Sequence, residues 1–148
     1  MPEAVLPTPA QLAASHLAVR HVFVYGTLRR GGANDITRLL PAPQFVGLGT
    51  VVGTMYDFGA YPGVVLGRGE ASVAIPGEVY AIAPELEGVL DEIEEVYPQQ
   101  RDEYFKRHVA VTVAGVDVDC IVYEINPAYV AGRATIAGGD WLRRRGAP

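Results

Sequence analysis

The stretch Gln44 to Phe58, QFVGLGTVVGTMYDF, decides the fold. Its valines, threonines and aromatics have the composition of a β-strand, but Gly47, Gly49 and Gly53 interrupt it. A glycine inside a strand marks a bulge or a sharp bend. Repeated bending is what a strongly curved sheet or small closed barrel requires. The whole chain carries 17 glycines and 11 prolines in 148 residues, which disfavours a long helical bundle and favours short strands joined by tight turns.

Upstream of this stretch, His21 to Tyr25 is an apolar, β-branched and aromatic run that reads as a buried strand, stopped by Gly26. A short helix is expected from about Asn34 to Leu40, with Asn34 or Gly32 near its N-cap and Pro41 ending it. Downstream, Tyr61-Pro62-Gly63 reads as a turn and Val64 to Leu66 as a strand. Ala71 to Ile82 is strand again, interrupted by Pro76 and Gly77. Pro84 sits where a helix tolerates proline best, at its first residue, and predicts a helix to about Val96, with Pro98 as a stop signal. Glu103 to Val113 and Val116 to Ile125 form two strands joined by Ala114-Gly115 in a hairpin-like turn. A last helical piece is expected from Gly139 or Asp140 to Arg145. The expected architecture is α+β: a small, mixed, mostly antiparallel barrel of five to seven strands with two or three short helices.

Hydrophobic residues make up 49% and charged residues 20% of the chain, which is globular composition rather than disorder. The length fits one domain, read here as residues 21–148 behind an N-terminal arm of residues 1–20 with a helical turn or two from Pro9 to Ala18. The arm lacks a positive segment ahead of an apolar run, so a cytoplasmic protein is expected. No stretch reaches the roughly 18 apolar residues of a membrane span. A net charge of −5 and a pI near 5.1 come with no large basic patch, so nucleic acid is not an expected partner. A monomer or weak homodimer is the expected state. The single cysteine, Cys120, excludes an internal disulfide framework and a multi-cysteine zinc site. It alternates with Val116, Val118 and Val122 and reads as a core thiol. His16, His21 and His108 show no metal-ligand spacing. Arg107 shares a strand face with Phe105, Val109 and Val111, where a charge needs a partner, and Glu78 is one candidate.

Two places carry chemistry. The first is the predicted helix, which crowds Asp91, Glu92, Glu94 and Glu95 together. At about 100° per residue, Leu86, Val89, Leu90 and Ile93 form one apolar stripe. Glu95 then points away from the stripe into water, and Asp91 lies well round the back. Glu92 and Glu94 flank the stripe at roughly 90–110° from its centre. At the rim of the core, burial and a like charge one turn away would raise a carboxyl pKa toward neutrality, as general acid–base work requires. Helical geometry leaves both glutamates open. The second place is Tyr25-Gly26-Thr27-Leu28-Arg29, directly after the buried strand. Consecutive N–H groups there could bind a carboxylate or an oxyanion, and Thr27 adds a hydroxyl. It is not a P-loop, because no glycine-rich run precedes a Lys-Ser or Lys-Thr pair.

Tyr25-Gly26-Thr27-Leu28-Arg29 resembles the opening motif of the γ-glutamylcyclotransferase-like, or AIG2-like, family. Tyr61-Pro62, Gly77-Glu78-Val79-Tyr80, Leu90-Asp91-Glu92-Ile93-Glu94, Arg107, Tyr123 and Gly139-Asp140-Trp141 follow in the family's order. The likeness runs from about His21 to Arg143. It is greatest to the small branch that contains γ-glutamylamine cyclotransferase and uncharacterised bacterial members. One departure is visible: the family's Tyr-x-Arg after the helix is here Phe105-Lys106-Arg107, with Tyr104 one place earlier.

The resemblance implies a mixed α/β barrel with a cavity at one mouth. It implies cleavage of a γ-glutamyl amine or peptide by attack of the substrate's own α-amine, releasing 5-oxoproline and a free amine. By the Leu-Asp-x-x-Glu spacing the family's catalytic glutamate matches Glu94. The segment Tyr25, Gly26, Thr27 and Leu28 matches the part that holds the γ-glutamyl group with main-chain N–H groups, and Tyr123 is a further substrate-binding position. One carboxylate between two nitrogens can take a proton from the attacking amine and return it to the leaving one, so this chemistry asks for no metal and no cofactor. A non-catalytic module that binds a small carboxylate or amide in the same cavity is the alternative.

Overall fold

The computed structural model describes residues 20–94 and 102–144. Six strands form one sheet in the order β3-β2-β4-β1-β6-β5. They are β1 (Arg20–Val24), β2 (Gln44–Asp57), β3 (Pro62–Leu66), β4 (Val73–Ile82), β5 (Tyr104–Val113) and β6 (Val116–Ile125). All neighbours are antiparallel except β1 and β6, which run parallel. The one described α-helix, α1, is Pro84–Ile93, and short 3₁₀ turns lie at Ile36–Arg38, Pro127–Tyr129 and Trp141–Arg143. The α+β reading is therefore met by a curled, mixed half-barrel.

The glycines of β2 supply that curl in two ways. The ladder between β2 and β4 slips between Phe45 and Gly47, which is a bulge. At Gly47, beside that bulge, and at Gly49 a close approach also excludes a side chain. A Cβ there would stand 2.4 Å from Val113 Cγ1 and 2.6 Å from Val111 Cγ1. These valines belong to β5, at the far end of the strand order, so glycine lets the sheet curl until its ends meet.

β1 is buried on both faces, which is why it reads as a continuous apolar run rather than an alternating one. Val22 and Val24 point into a core shared with Leu86 and Leu90 of α1 and with Ile121 and Ile125 of β6. Phe23 and Tyr25 point into a second core with Val111, Cys120, Val122 and Trp141. Pro84 opens α1 and acidic Glu85 and Glu87 occupy its first turn, where the helix dipole favours them. Leu86 and Leu90, one turn apart, are fully buried, each stabilising the docked helix by about 1.5–3 kcal/mol.

Several local expectations are corrected. Asn34 to Leu40 forms no α-helix, only the 3₁₀ turn Ile36–Arg38. Its cap is Asp35, whose carboxylate takes the Thr37 N–H at 2.9 Å, the Thr37 hydroxyl at 2.6 Å and the Gly31 N–H at 2.8 Å. Leu39 is already extended, and Pro41 biases Leu40 the same way. The expected final helix is likewise one 3₁₀ turn, and Arg145 lies outside the described residues. Pro62 and Gly63 belong to β3 rather than to a turn, which falls instead at Phe58 to Tyr61. β4 runs unbroken through Pro76 and Gly77. Its pairing with β1 reaches only Glu78, so at Pro76 that side of β4 is an open edge, where a missing N–H is tolerated. The Ala114-Gly115 turn holds, with φ of 50° and 81°, the pattern of a type I′ hairpin. The helical turn expected at Pro9 to Ala18 and the end of the acidic helix at Val96 lie outside the described residues. Among the described residues no helix is long and apolar enough to cross a membrane.

Candidate active site

β1 delivers the chain into a loop at the mouth of the half-barrel, and that loop is tied from both sides. The carbonyls of Gly26, Thr27 and Leu28 accept N–H bonds from Arg29, Asn34 and Ile36 at 3.0, 2.9 and 2.9 Å. Among the described residues no acceptor is paired with the N–H groups of Thr27 and Leu28. Gly26 has an ordinary negative φ, so torsion does not explain it. A Cβ there would lie 2.7 Å from Pro62 Cγ, and glycine is what admits the β3 proline against the loop.

On its outer side the loop is clasped by charge. Arg29 Nε donates to Glu78 Oε2 at 3.2 Å, and Arg29 Nη1 to Asp140 Oδ1 at 2.9 Å. Glu78, on β4, is 7% exposed and also accepts the Arg30 N–H and the Tyr80 hydroxyl, each at 2.8 Å. The partner suggested for Arg107 is therefore wrong. Glu78 is taken by Arg29, and Arg107 pairs with Glu124 of neighbouring β6 at 2.9 Å. In the β5–β6 ladder Glu124 sits opposite Phe105, diagonal to Arg107 and on its own face.

On its inner side the loop borders a cavity of about 450 Å³, within the range of small-molecule sites. Tyr25, Gly26, Thr27, Leu28, Glu94 and Tyr123 all line it. The structure thus brings every expected site residue to one cavity. It also separates Glu94 from Glu92, which helical geometry alone could not. Glu94 is half-buried as the C-cap of α1 and faces the cavity, whereas Glu92 is exposed and does not line it. Asp91 is not at the back of the helix as expected. Its two carboxylate oxygens accept the Tyr123 hydroxyl and the Lys106 ammonium, each at 2.8 Å, because the β5–β6 hairpin wraps that flank of α1. Lys106 also reaches Glu87 at 2.7 Å. Burial would lower the Lys106 pKa, but these hydrogen bonds outweigh it and raise it.

Three tyrosines complete the wall. Tyr25 donates its hydroxyl to the Tyr123 carbonyl at 2.6 Å and accepts the Val64 N–H at 3.3 Å. Tyr104, the residue one place early in the triplet, donates to the Pro62 carbonyl at 2.6 Å. Burial pushes all three phenols far above their usual pKa, and the nearby Glu94 charge pushes each further. They remain neutral at any working pH. Tyr104, Tyr61, Glu103 and Asn34 also line the cavity and were not singled out as site residues from sequence. Tyr104 and Tyr61 carried a signal, the first by its offset within the triplet and the second in the Tyr61-Pro62 motif of the resemblance; Glu103 and Asn34 reach the cavity through the fold. Among the described residues no group of three or more His, Cys, Asp or Glu side chains is placed to hold a metal ion. Cys120 is fully buried away from this wall, and burial pushes its thiol up to about 12.

The family described as γ-glutamyl cyclotransferase, AIG2-like, matches residues 22–143. A Vibrio cholerae serotype O1 protein, provisionally named a γ-glutamylcyclotransferase, is 32% identical over 125 residues, covering 83% of this chain and 96% of its own. The fold resembles the crystal structure of Bacillus subtilis YkqA, with a TM-score of 0.63 at 26% identity, covering 83% of this chain and 39% of that longer one. It also resembles an AIG2-like protein of Mus musculus, with a TM-score of 0.62 at 24% identity over 82% of this chain and 88% of that one. At that last identity the likeness speaks to the fold.

Proposed function

The chain belongs to the γ-glutamyl cyclotransferase, AIG2-like family, and from this membership we propose that it is an enzyme that cyclises a γ-glutamyl amide to 5-oxoproline and a free amine, with Glu94 as the general acid–base. One observation carries the reading: the half-buried Glu94 and the loop Tyr25 to Leu28 line the same cavity.

In this reading the γ-glutamyl head lies along the loop, with Glu94 beside its α-nitrogen. The Glu94 carboxylate takes a proton from the α-ammonium, since only the neutral amine is nucleophilic. The amine attacks the γ-carbonyl carbon, a lactam C–N bond forms and the carbonyl becomes an oxyanion. The N–H groups of Thr27 and Leu28 stabilise that charge in place of water. The oxyanion collapses and the original amide C–N bond breaks as protonated Glu94 gives its proton to the leaving nitrogen. The ring nitrogen, which still carries two protons after the attack, then sheds one to the freed Glu94 carboxylate, which passes it to the departing amine and leaves a neutral lactam. Atoms balance with no water consumed. Ring closure is intramolecular, so most of the rate enhancement comes from holding a near-attack geometry. Tyr25, Tyr104 and Tyr123 have pKa values too high to act as bases. They supply a rigid, uncharged wall, and Tyr123 contributes to substrate placement.

The test is release of 5-oxoproline from a panel of γ-glutamyl amides by the full chain and by Glu94→Gln. Release by the native chain that is lost in the variant is expected. Release that survives in Glu94→Gln removes Glu94 from its role. A ligand-induced thermal shift with no turnover across the panel favours the binding-only alternative.

A further inference from the structure

The mechanism leaves a second carboxylate in the cavity without a task. Glu103, just before β5, lines the same space as Glu94. Its Oε2 accepts the Tyr61 hydroxyl at 2.5 Å, which fixes the carboxylate beside an aromatic ring. Tyr61 stacks on Phe58 with ring centroids 5.6 Å apart and planes 7° apart, and lies 6.4 Å from Tyr104. Arg133 packs on Phe58 at 4.5 Å but is not among the residues that line the cavity. Among the described residues, the ionisable side chains lining it include two glutamates and no lysine, arginine or histidine.

A held carboxylate next to aromatic faces is a recognition site for an alkylammonium group. An anionic group in the same place would meet like charge from Glu103 and Glu94. The γ-glutamyl head occupies the Tyr25–Leu28 side, which leaves Tyr61 and Glu103 for the departing portion. We infer that Glu103 and the Tyr61 ring form the leaving-group subsite, and that it selects amides whose departing amine carries a second, positively charged nitrogen over those whose departing amine carries a carboxylate. This inference rests on the γ-glutamyl cyclotransferase reading of the cavity.

The experiment compares three substrates that share one head and differ only in tail charge: the γ-glutamyl amides of diaminobutane, butylamine and aminobutyrate. The readout is kcat/KM for 5-oxoproline release at neutral pH and low salt. The cationic amide is expected to exceed the anionic one at least about tenfold, the order of one partly screened ion pair, with the neutral amide between. Glu103→Gln keeps an acceptor for the Tyr61 hydroxyl and is expected to compress the ratio to within about threefold. Equal turnover of the three amides, or preference for the anionic one, overturns the subsite while leaving the cyclotransferase reading intact. A ratio unchanged in Glu103→Gln overturns the role of Glu103. The native ranking needs no variant, so the inference can fail even if Glu103→Gln does not fold. No 5-oxoproline from any of the three overturns the cyclotransferase reading itself, and the subsite with it.

Discussion

The two sides of the loop after β1 follow opposite electrostatic plans. Outside, the Arg29 guanidinium lies between Glu78 and Asp140, so carboxylates are paired with a cation where the loop is anchored. Inside, the described lining includes Glu94, Glu103 and neutral phenols and no basic side chain. One short motif serves both sides, with Thr27 and Leu28 facing the cavity and Arg29 holding the loop to β4 and to the C-terminal segment. Paired charges give rigidity, and a cavity whose carboxylates answer to a substrate gives reactivity.

The sharpest way to separate the two sides is to remove one charge from each. Glu94→Gln is expected to lower kcat/KM by about 10²–10⁴-fold while the melting temperature stays within a few degrees. A large loss of stability instead would make Glu94 part of the scaffold. Arg29→Met is expected to do the reverse first, lowering stability by about 3–5 kcal/mol because it strands the buried Glu78 carboxylate. Urea unfolding measures this, and a loss below about 1 kcal/mol would mean the clasp is not what anchors the loop.

A smaller effect tests the seam where the sides meet. Gly26→Ala forces a methyl against Pro62 and is expected to lower stability by about 1–3 kcal/mol. Pro62→Ala should relieve part of that loss, so the double variant is less destabilised than the sum of the singles. Additivity would show that the close approach is not the cause. Tyr104→Phe is smaller again, about 1 kcal/mol for its hydrogen bond to Pro62. Because burial raises the Tyr104 pKa, its neutral form is the one present throughout, and the neutral-range pH–rate profile should keep its shape in the variant. A shifted limb would give that phenol a proton-transfer role. Least of all, Cys120, with its thiol pushed up to about 12, should resist thiol-reactive reagents near neutral pH until the protein unfolds.

Much of this was legible in the chain, and for identifiable reasons. The glycines of QFVGLGTVVGTMYDF announce a bent strand because a missing side chain is a local fact. The apolar run Val22 to Val24 announces a buried strand, and Pro84 announces a helix start. The segment Tyr25 to Leu28 stands out because it follows that strand directly. Asp91 was misplaced because a helical wheel knows only its own helix, whereas the β5–β6 hairpin brings Lys106 and Tyr123 to the flank that the wheel assigns to water.

What the sequence by itself determined is therefore what depends on neighbours along the chain: strand, turn and helix start, the curl, and the two glutamates worth weighing. Only the tertiary structure decided the rest. It separated Glu94 from Glu92, gave Glu78 to Arg29 across a separation of 49 residues and Asp140 to the same guanidinium across 111, and set Glu103 beside Tyr61. The physical reason is that charge pairing and cavity shape depend on distance in space, and the curled sheet sets those distances by bringing together residues that local pattern cannot relate.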